Sequence, residues 1–348
     1  MKTKIISALK IILPLGFGVF LMWLFYDALC EDQKKDLFSA FGKANYWWIL
    51  LALVFSFFSH VSRAIRWKYL LEPMGHQSSF WNRYHALMIG YLVNFVFPRA
   101  GEATRAGILS KSEKVPFQKG FGTILAERAV DLGMLGIIVL IGLAMQYDKV
   151  DMFKSKISSF GASENGCGNS MIFEILGKVV FYGIIIGFIA VLALVIAKKS
   201  FRTKISEFLK GLWEGIIAIF RTKNKVKFIG HTFFIWGMYV VMFAICFLCL
   251  DSTAHLGLDA ILAGFIAGTF GIILVQGGIG VYPALVGLIV TTYLAPDQPG
   301  ILPDALALGW IIWTSQTVMM IILGLISLAL NGKNVKFEKD ELAESDQK

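Results

Sequence analysis

Asn94-Phe95-Val96-Phe97-Pro98-Arg99-Ala100-Gly101-Glu102-Ala103-Thr104-Arg105 closes an apolar run that begins at Tyr84 and lasts only 14 residues. A helix that crosses a bilayer needs about 20. The run therefore ends within the hydrocarbon, at a proline, a glycine and three charges. One charge at the bilayer centre costs roughly 2.5–3.5 kcal/mol on insertion scales. Broken backbone at that depth survives only where it is buried in protein or lines a wet cavity. The stretch thus predicts a helix that turns back inside the membrane, and it is the first candidate for function.

The rest of the chain sets the same context. Of 348 residues, 56% are hydrophobic and 16% charged. Soluble domains do not have this balance. Apolar runs lie near 5–26, 46–62, 122–145, 177–197, 228–250, 260–295 and 305–330. The expected fold is an all-α polytopic membrane protein: one transmembrane domain over 1–330, then a charged tail, 331–348, expected to lack structure. The net charge of +9 sits beside the apolar runs, as in cytoplasmic loops, and does not call for nucleic acid. The first run is long and lacks a small-residue cleavage motif, so it reads as a signal anchor. Cys246 and Cys249 fall in an apolar run and read as packing residues. Cys30 and Cys167 fall in two loops that could pair only in an oxidising compartment.

Lysine and arginine orient the chain. Nine of them lie within 198–227, against Glu207 and Glu214. That loop, the N-terminus and the C-terminal tail read as cytoplasmic. Loops 251–259 and 296–304 carry no Lys or Arg and read as outside. The count closes with six full spans if two segments enter and return. One is 84–110. The other is 260–295, interrupted by Gln276-Gly277-Gly278-Ile279-Gly280. Two inverted units follow, 46–145 and 228–330. Interrupted segments at matching positions of inverted units point to a transporter site near the midplane. Phe201, Ile205, Phe208, Leu212 and Ile216 add an amphipathic helix over 200–222, on the inner leaflet.

Several groups could act there. Arg63 and Arg66 share a helical face beside Trp67, either as membrane-end anchors or as a clamp for a lipid phosphate. Glu102 and Arg105 are spaced to pair at i+3. A half-helix opened by Pro98 would offer free N–H groups to an anion. Glu127 and Asp131 share a face, and Arg128 can reach Asp131. The second carboxylate then needs Arg99 or Arg105. Gln276, Gly277, Gly278 and Gly280 would present bare backbone to a ligand. His60 reads as a structural hydrogen-bonder. There is no metalloprotease, serine-hydrolase or phosphate-loop signature, and no cofactor or metal is called for.

Arg63-Ala-Ile-Arg66-Trp67, Asn94 with Pro98-Arg99-Ala-Gly101-Glu102 and Arg105, Glu127-Arg128 with Asp131, and Gly277-Gly278-Ile-Gly280 follow one another in an order that resembles the lysylphosphatidylglycerol synthase transmembrane, or flippase-like, family. The likeness covers about 10–330. It implies a bacterial inner-membrane domain that moves or exposes lipid headgroups, with a phospholipid or other lipid phosphate as partner. It leaves homo-oligomers open. The chain ends 18 residues after Leu330, so the family's soluble aminoacyl-transfer domain is not expected here. Gln276 and Pro283 stand where the family often has a proline and an acidic residue. The expected activity is lipid translocation. The alternatives are an integral-membrane transferase acting on a lipid-linked substrate, or a non-transporting lipid-binding scaffold of envelope assembly.

Overall fold

The computed structural model describes residues 29–97, 100–159, 224–298 and 300–345, with Thr203 and scattered positions between Gly16 and Asp27. The expected span 177–197 and amphipathic helix 200–222 lie outside the described residues, Thr203 excepted. So does most of 5–26.

The described chain is helical. It runs through α1 (Glu31–Lys43), α2 (Tyr46–Leu71), α3 (Phe80–Val96), α4 (Gly101–Glu113), α5 (Phe117–Met145), α6 (Val150–Ser159), α7 (Lys225–Phe247), α8 (Leu258–Leu274), α9 (Val281–Leu294) and α10 (Pro303–Ser345). Four stretches are long and apolar enough to span: Tyr46–Met74, Phe117–Met145, Lys225–Phe247 and Pro303–Asn331. On α5, Leu125, Leu132, Leu140 and Leu143 are exposed, as lipid-facing positions should be. α10 continues as helix to Ser345, through the charged segment expected to lack structure. That segment holds no proline and carries four Lys and three Glu, residues that favour helix.

α3 and α4 form the expected hairpin. The backbone N–H of Ser79 and the Asn82 amide both donate to Glu113 Oε1, at 2.7 and 2.8 Å, so its two outer ends meet. Its arms cross at Gly90 and Gly101. A Cβ on Gly101 would lie 2.1 Å from the Gly90 carbonyl oxygen. Near the tip, Asn94 Oδ1 accepts the Gly101 N–H at 2.7 Å.

α8 and α9 form the second hairpin. Gly277, Gly278 and Gly280 have φ of 68, 70 and 73°, a left-handed path that only glycine follows without strain. Its outer ends also meet. Gln146 donates to the Asp259 carbonyl at 2.9 Å and Lys149 pairs with the Asp259 carboxylate. The Tyr293 hydroxyl donates to the Gln146 side chain, and Lys156 reaches the Ala295 carbonyl at 3.4 Å.

The hairpins open at opposite ends of the bundle. At one end, beside the first hairpin's mouth, Asn224 donates to Glu72 at 3.2 Å. At the other, the Asn45 N–H donates to the Cys249 carbonyl at 2.8 Å. The packing follows the inverted units. α2 lies along α7, and each hairpin packs against the closing span of both units, α5 and α10. The tips touch: Phe95 packs 3.7 Å from where a Gly277 Cβ would stand, and Trp313 Nε1 donates to the Gly277 carbonyl at 2.6 Å.

Cys246 and Cys249 are buried and free, as packing residues should be. Cys30 is disulfide-bonded. Cys167 lies outside the described residues.

A buried ion cluster between four helices

Asp131 is the fifteenth of 29 residues in α5, at the helix midpoint. Its carboxylate receives two guanidinium groups from α2. Arg63 Nη1 meets Oδ2 at 2.7 Å, and Arg66 Nη1 meets Oδ1 at 2.9 Å. The indole N–H of Trp236 on α7 reaches Oδ1 at 3.4 Å. One turn earlier on the same face, Glu127 Oε2 meets Arg105 Nη2 of α4 at 2.8 Å. Glu127 Oε1 lies 3.7 Å from Arg66 Nε. These five side chains are at most 10% exposed.

Neutral groups complete the shell. Arg66 donates to Thr232 at 3.1 Å and Arg63 to the Tyr239 hydroxyl at 3.3 Å. The Arg105 guanidinium stacks 3.7 Å from the Trp67 ring centroid, and Arg66 lies 5.2 Å from that of Phe228. Such contacts favour arginine, whose planar ion is weakly hydrated, over lysine.

Three arginines face two carboxylates, so the buried set carries one excess positive charge. Among the described residues, buried nitrogens of Arg63, Arg66 and Arg105 lack a hydrogen-bond partner, and so do both carboxylate oxygens of Glu127. An uncompensated buried charge is costly, and an entering anion would remove that cost.

The expected Arg63–Arg66 face is present, but the pairs expected within single helices are not. Asp131 takes Arg63 and Arg66, 68 and 65 residues away, instead of Arg128. Arg128 points outward and pairs with Glu102 at 2.9 Å; this pair is 46% and 23% exposed. Arg105 therefore serves Glu127 and not Glu102. The cause is helical phase: residues 127 and 131 face α2 and α4, whereas 128 is rotated by about 100°. Trp67 is fully buried and donates to Thr123 at 2.8 Å, so it is no interfacial anchor.

At the breaks, the first N–H of α4 is taken by Asn94 and is not free for an anion. Pro98, Arg99 and the side chain of Gln276 lie outside the described residues. Gly277, Gly278 and Gly280 form the second tip, against Phe95 and Trp313. No hydrogen bond or ion pair among the described residues joins that turn to the charged cluster. The sequence reasoning missed Thr232, Trp236 and Tyr239. They recur at i, i+4 and i+7 along an apolar span, a polar stripe legible at helical spacing. It also left open the surroundings of His60, which is buried between Tyr91 and Tyr239, with ring centroids at 5.3 and 6.5 Å.

Comparison with known proteins places the chain among membrane proteins. A UPF0104 membrane protein of Methanocaldococcus jannaschii is 29% identical over 134 residues, 38% of each chain. The glycosyltransferase AglD of Haloferax volcanii is 32% identical over 129 residues, 36% of this chain and 20% of that protein. A UPF0104 membrane protein of Methanothermobacter thermautotrophicus is 24% identical over 119 residues, 32% of this chain and 35% of that one. The matches thus span well under half the length of these relatives. No solved structure matches the chain. The model of the lysylphosphatidylglycerol synthase transmembrane region matches residues 11–324, and the chain belongs to that family of integral membrane proteins.

Proposed function

We propose that this protein carries phosphate-bearing lipid headgroups across the bilayer, with Arg63, Arg66 and Arg105 as the groups that meet phosphate. The observation that supports this most is the excess guanidinium in the buried cluster, with Arg66 Nη2 unpartnered at the level of the α5 midpoint. Arginine suits the role because its fork binds phosphate oxygens in pairs. Glu127 and Asp131 hold the forks in place. The half-exposed Glu102–Arg128 pair, bridging α4 and α5, is the natural point of opening. Arg99, Asn94 and the glycine turn Gly277, Gly278 and Gly280, with Gln276, belong to the two hairpin tips that would part around the headgroup. In this orientation the first hairpin opens to the cytoplasm and both termini lie there, by the distribution of basic residues.

The test is reconstitution of the purified chain in vesicles with fluorescent lipids of differing headgroup. Anionic headgroups should cross faster than in protein-free vesicles. Arg66→Lys, which keeps the charge and loses the fork, should slow them about tenfold, the worth of one charged hydrogen bond. The proposal is lost if no headgroup is accelerated and Glu102→Gln leaves cellular function intact.

A second reading has one observation behind it, the similarity to a protein named as a glycosyltransferase. On that reading the domain handles a lipid-linked donor for group transfer. Product formed from such a donor by the purified chain would favour it.

A further inference from the structure

A second polar site lies behind the ion cluster. α2 and α7 form a wall whose inner side carries Arg63, Arg66 and Thr232. Their sequence neighbours Ser62 and His231 face the other way, into an open groove of about 560 Å³ between the same helices. That volume lies within the roughly 300–1,000 Å³ of small-molecule sites.

The groove is graded along its length. Nearest the end of the bundle that holds Glu72 and Asn224 are Lys227 and Tyr69. One to two turns deeper, Ser62 Oγ and His231 Nδ1 are 2.7 Å apart. Deeper still are Phe58 and Phe234, 50% and 45% exposed. Among the described residues, no carboxylate lines it. A cation, then neutral hydrogen-bonding groups, then an apolar slot is the order of phosphate, glycerol ester and acyl chain in a phospholipid. Gly230 lies on the groove, and a Cβ there would meet nothing within 4 Å.

We infer that this groove is a binding site for an anionic phospholipid drawn from the surrounding leaflet, with its phosphate at Lys227, its glycerol ester at Ser62 and His231 and one chain along Phe58 and Phe234. It would hold a lipid one helix wall away from the arginines. The inference rests on the proposed function only for the choice of a lipid phosphate as occupant, and it is tested without transport.

A photoreactive amino acid replaces Ile65, another groove residue. The full chain is reconstituted in vesicles of mixed phosphatidylglycerol and phosphatidylcholine, illuminated, and its lipid adducts are counted. Phosphatidylglycerol adducts should exceed its share of the vesicle. Lys227→Gln should lower that preference about fivefold, the worth of one lysine near a membrane surface. Gly230→Leu should abolish adducts of both lipids while leaving the unfolding temperature unchanged. Gly237→Leu is the control on the same helix: it also meets nothing within 4 Å, it is not a groove residue, and it should change neither. The site is overturned by adducts in proportion to vesicle composition, by adducts that survive Gly230→Leu, or by adducts to a second copy of the chain in place of lipid. Adducts as expected with no lipid transport would sink the proposed function and leave the groove standing.

Discussion

The two hairpins share a plan and differ in what holds them. The first is bound by ions. α4 is joined to α5 by Arg105–Glu127 and Glu102–Arg128, and its mouth is clasped by Glu113. The second carries no charged residue from Ala260 to Pro296. It is held by close backbone approach: a Cβ on Gly271 would lie 2.9 Å from Tyr282 Cα, and one on Gly309 would lie 2.6 Å from the Pro283 carbonyl oxygen. Two inverted copies of one topology have thus divided the labour. One brings charge to mid-membrane, and the other brings shape, with neutral hydrogen-bonding groups from the adjoining α7.

The largest test of that division removes charge from the first half. Asp131→Asn leaves Arg63 and Arg66 facing each other without their shared carboxylate. Breaking one partner from a buried pair costs about 3–5 kcal/mol. The variant should lose monodisperse protein in detergent, or unfold at a much lower temperature. A combined Arg105→Met, Glu127→Met change removes a whole pair and should be milder than Glu127→Gln alone. If Glu127→Gln proves the milder of the two, the first hairpin is not ion-bound.

Steric change should reach both halves more evenly. Gly101→Ala puts a methyl group against the Gly90 carbonyl, and Gly271→Ala puts one against the Tyr282 backbone. Overpacking of this kind costs about 1–3 kcal/mol. Both should lower the thermal midpoint, Gly101→Ala more, because its clash is closer. Equal insensitivity at Gly271 would remove the case that the second hairpin is held by shape.

Most of the fold was legible because a membrane turns length and charge into topology. Runs too short to cross, the loops without lysine or arginine and the glycine break fixed both hairpins and their opposed sense. The pairing inside the site was not legible. Neighbours three or four residues apart suggested Arg128–Asp131 and Glu102–Arg105, yet burial selected partners on other helices. Only the packed phases of α2, α4 and α5 decide which side of each helix is dry. Arg63 and Arg66 were recognised as one face, but the carboxylate opposite them lies 68 and 65 residues away.

A smaller effect belongs to the tips. Trp313→Phe keeps one aromatic ring but loses the pyrrole half of the indole, and with it the hydrogen bond to the Gly277 carbonyl. A neutral hydrogen bond contributes about 0.5–1.5 kcal/mol. The thermal midpoint should fall slightly, and hydrogen exchange at Gly278 to Gly280 should rise while α4 is unaffected. Equal loosening of α4 would mean that the two tips move as one body.

The smallest effect is expected at the mouth of the second hairpin. Lys149→Ala removes the ion pair to Asp259, whose side chains are 29% and 25% exposed. Exposed pairs contribute about 0–1 kcal/mol. Gln146 still holds the Asp259 carbonyl and accepts from Tyr293, so the mouth keeps two uncharged ties. Stability should change by less than for any variant above, with the loss fading in high salt as screening grows. Gln146→Ala, which cuts both uncharged ties, should cost more than Lys149→Ala at every salt concentration. If the order reverses, the second hairpin too depends on charge at its mouth, and the contrast between the halves holds only within the membrane.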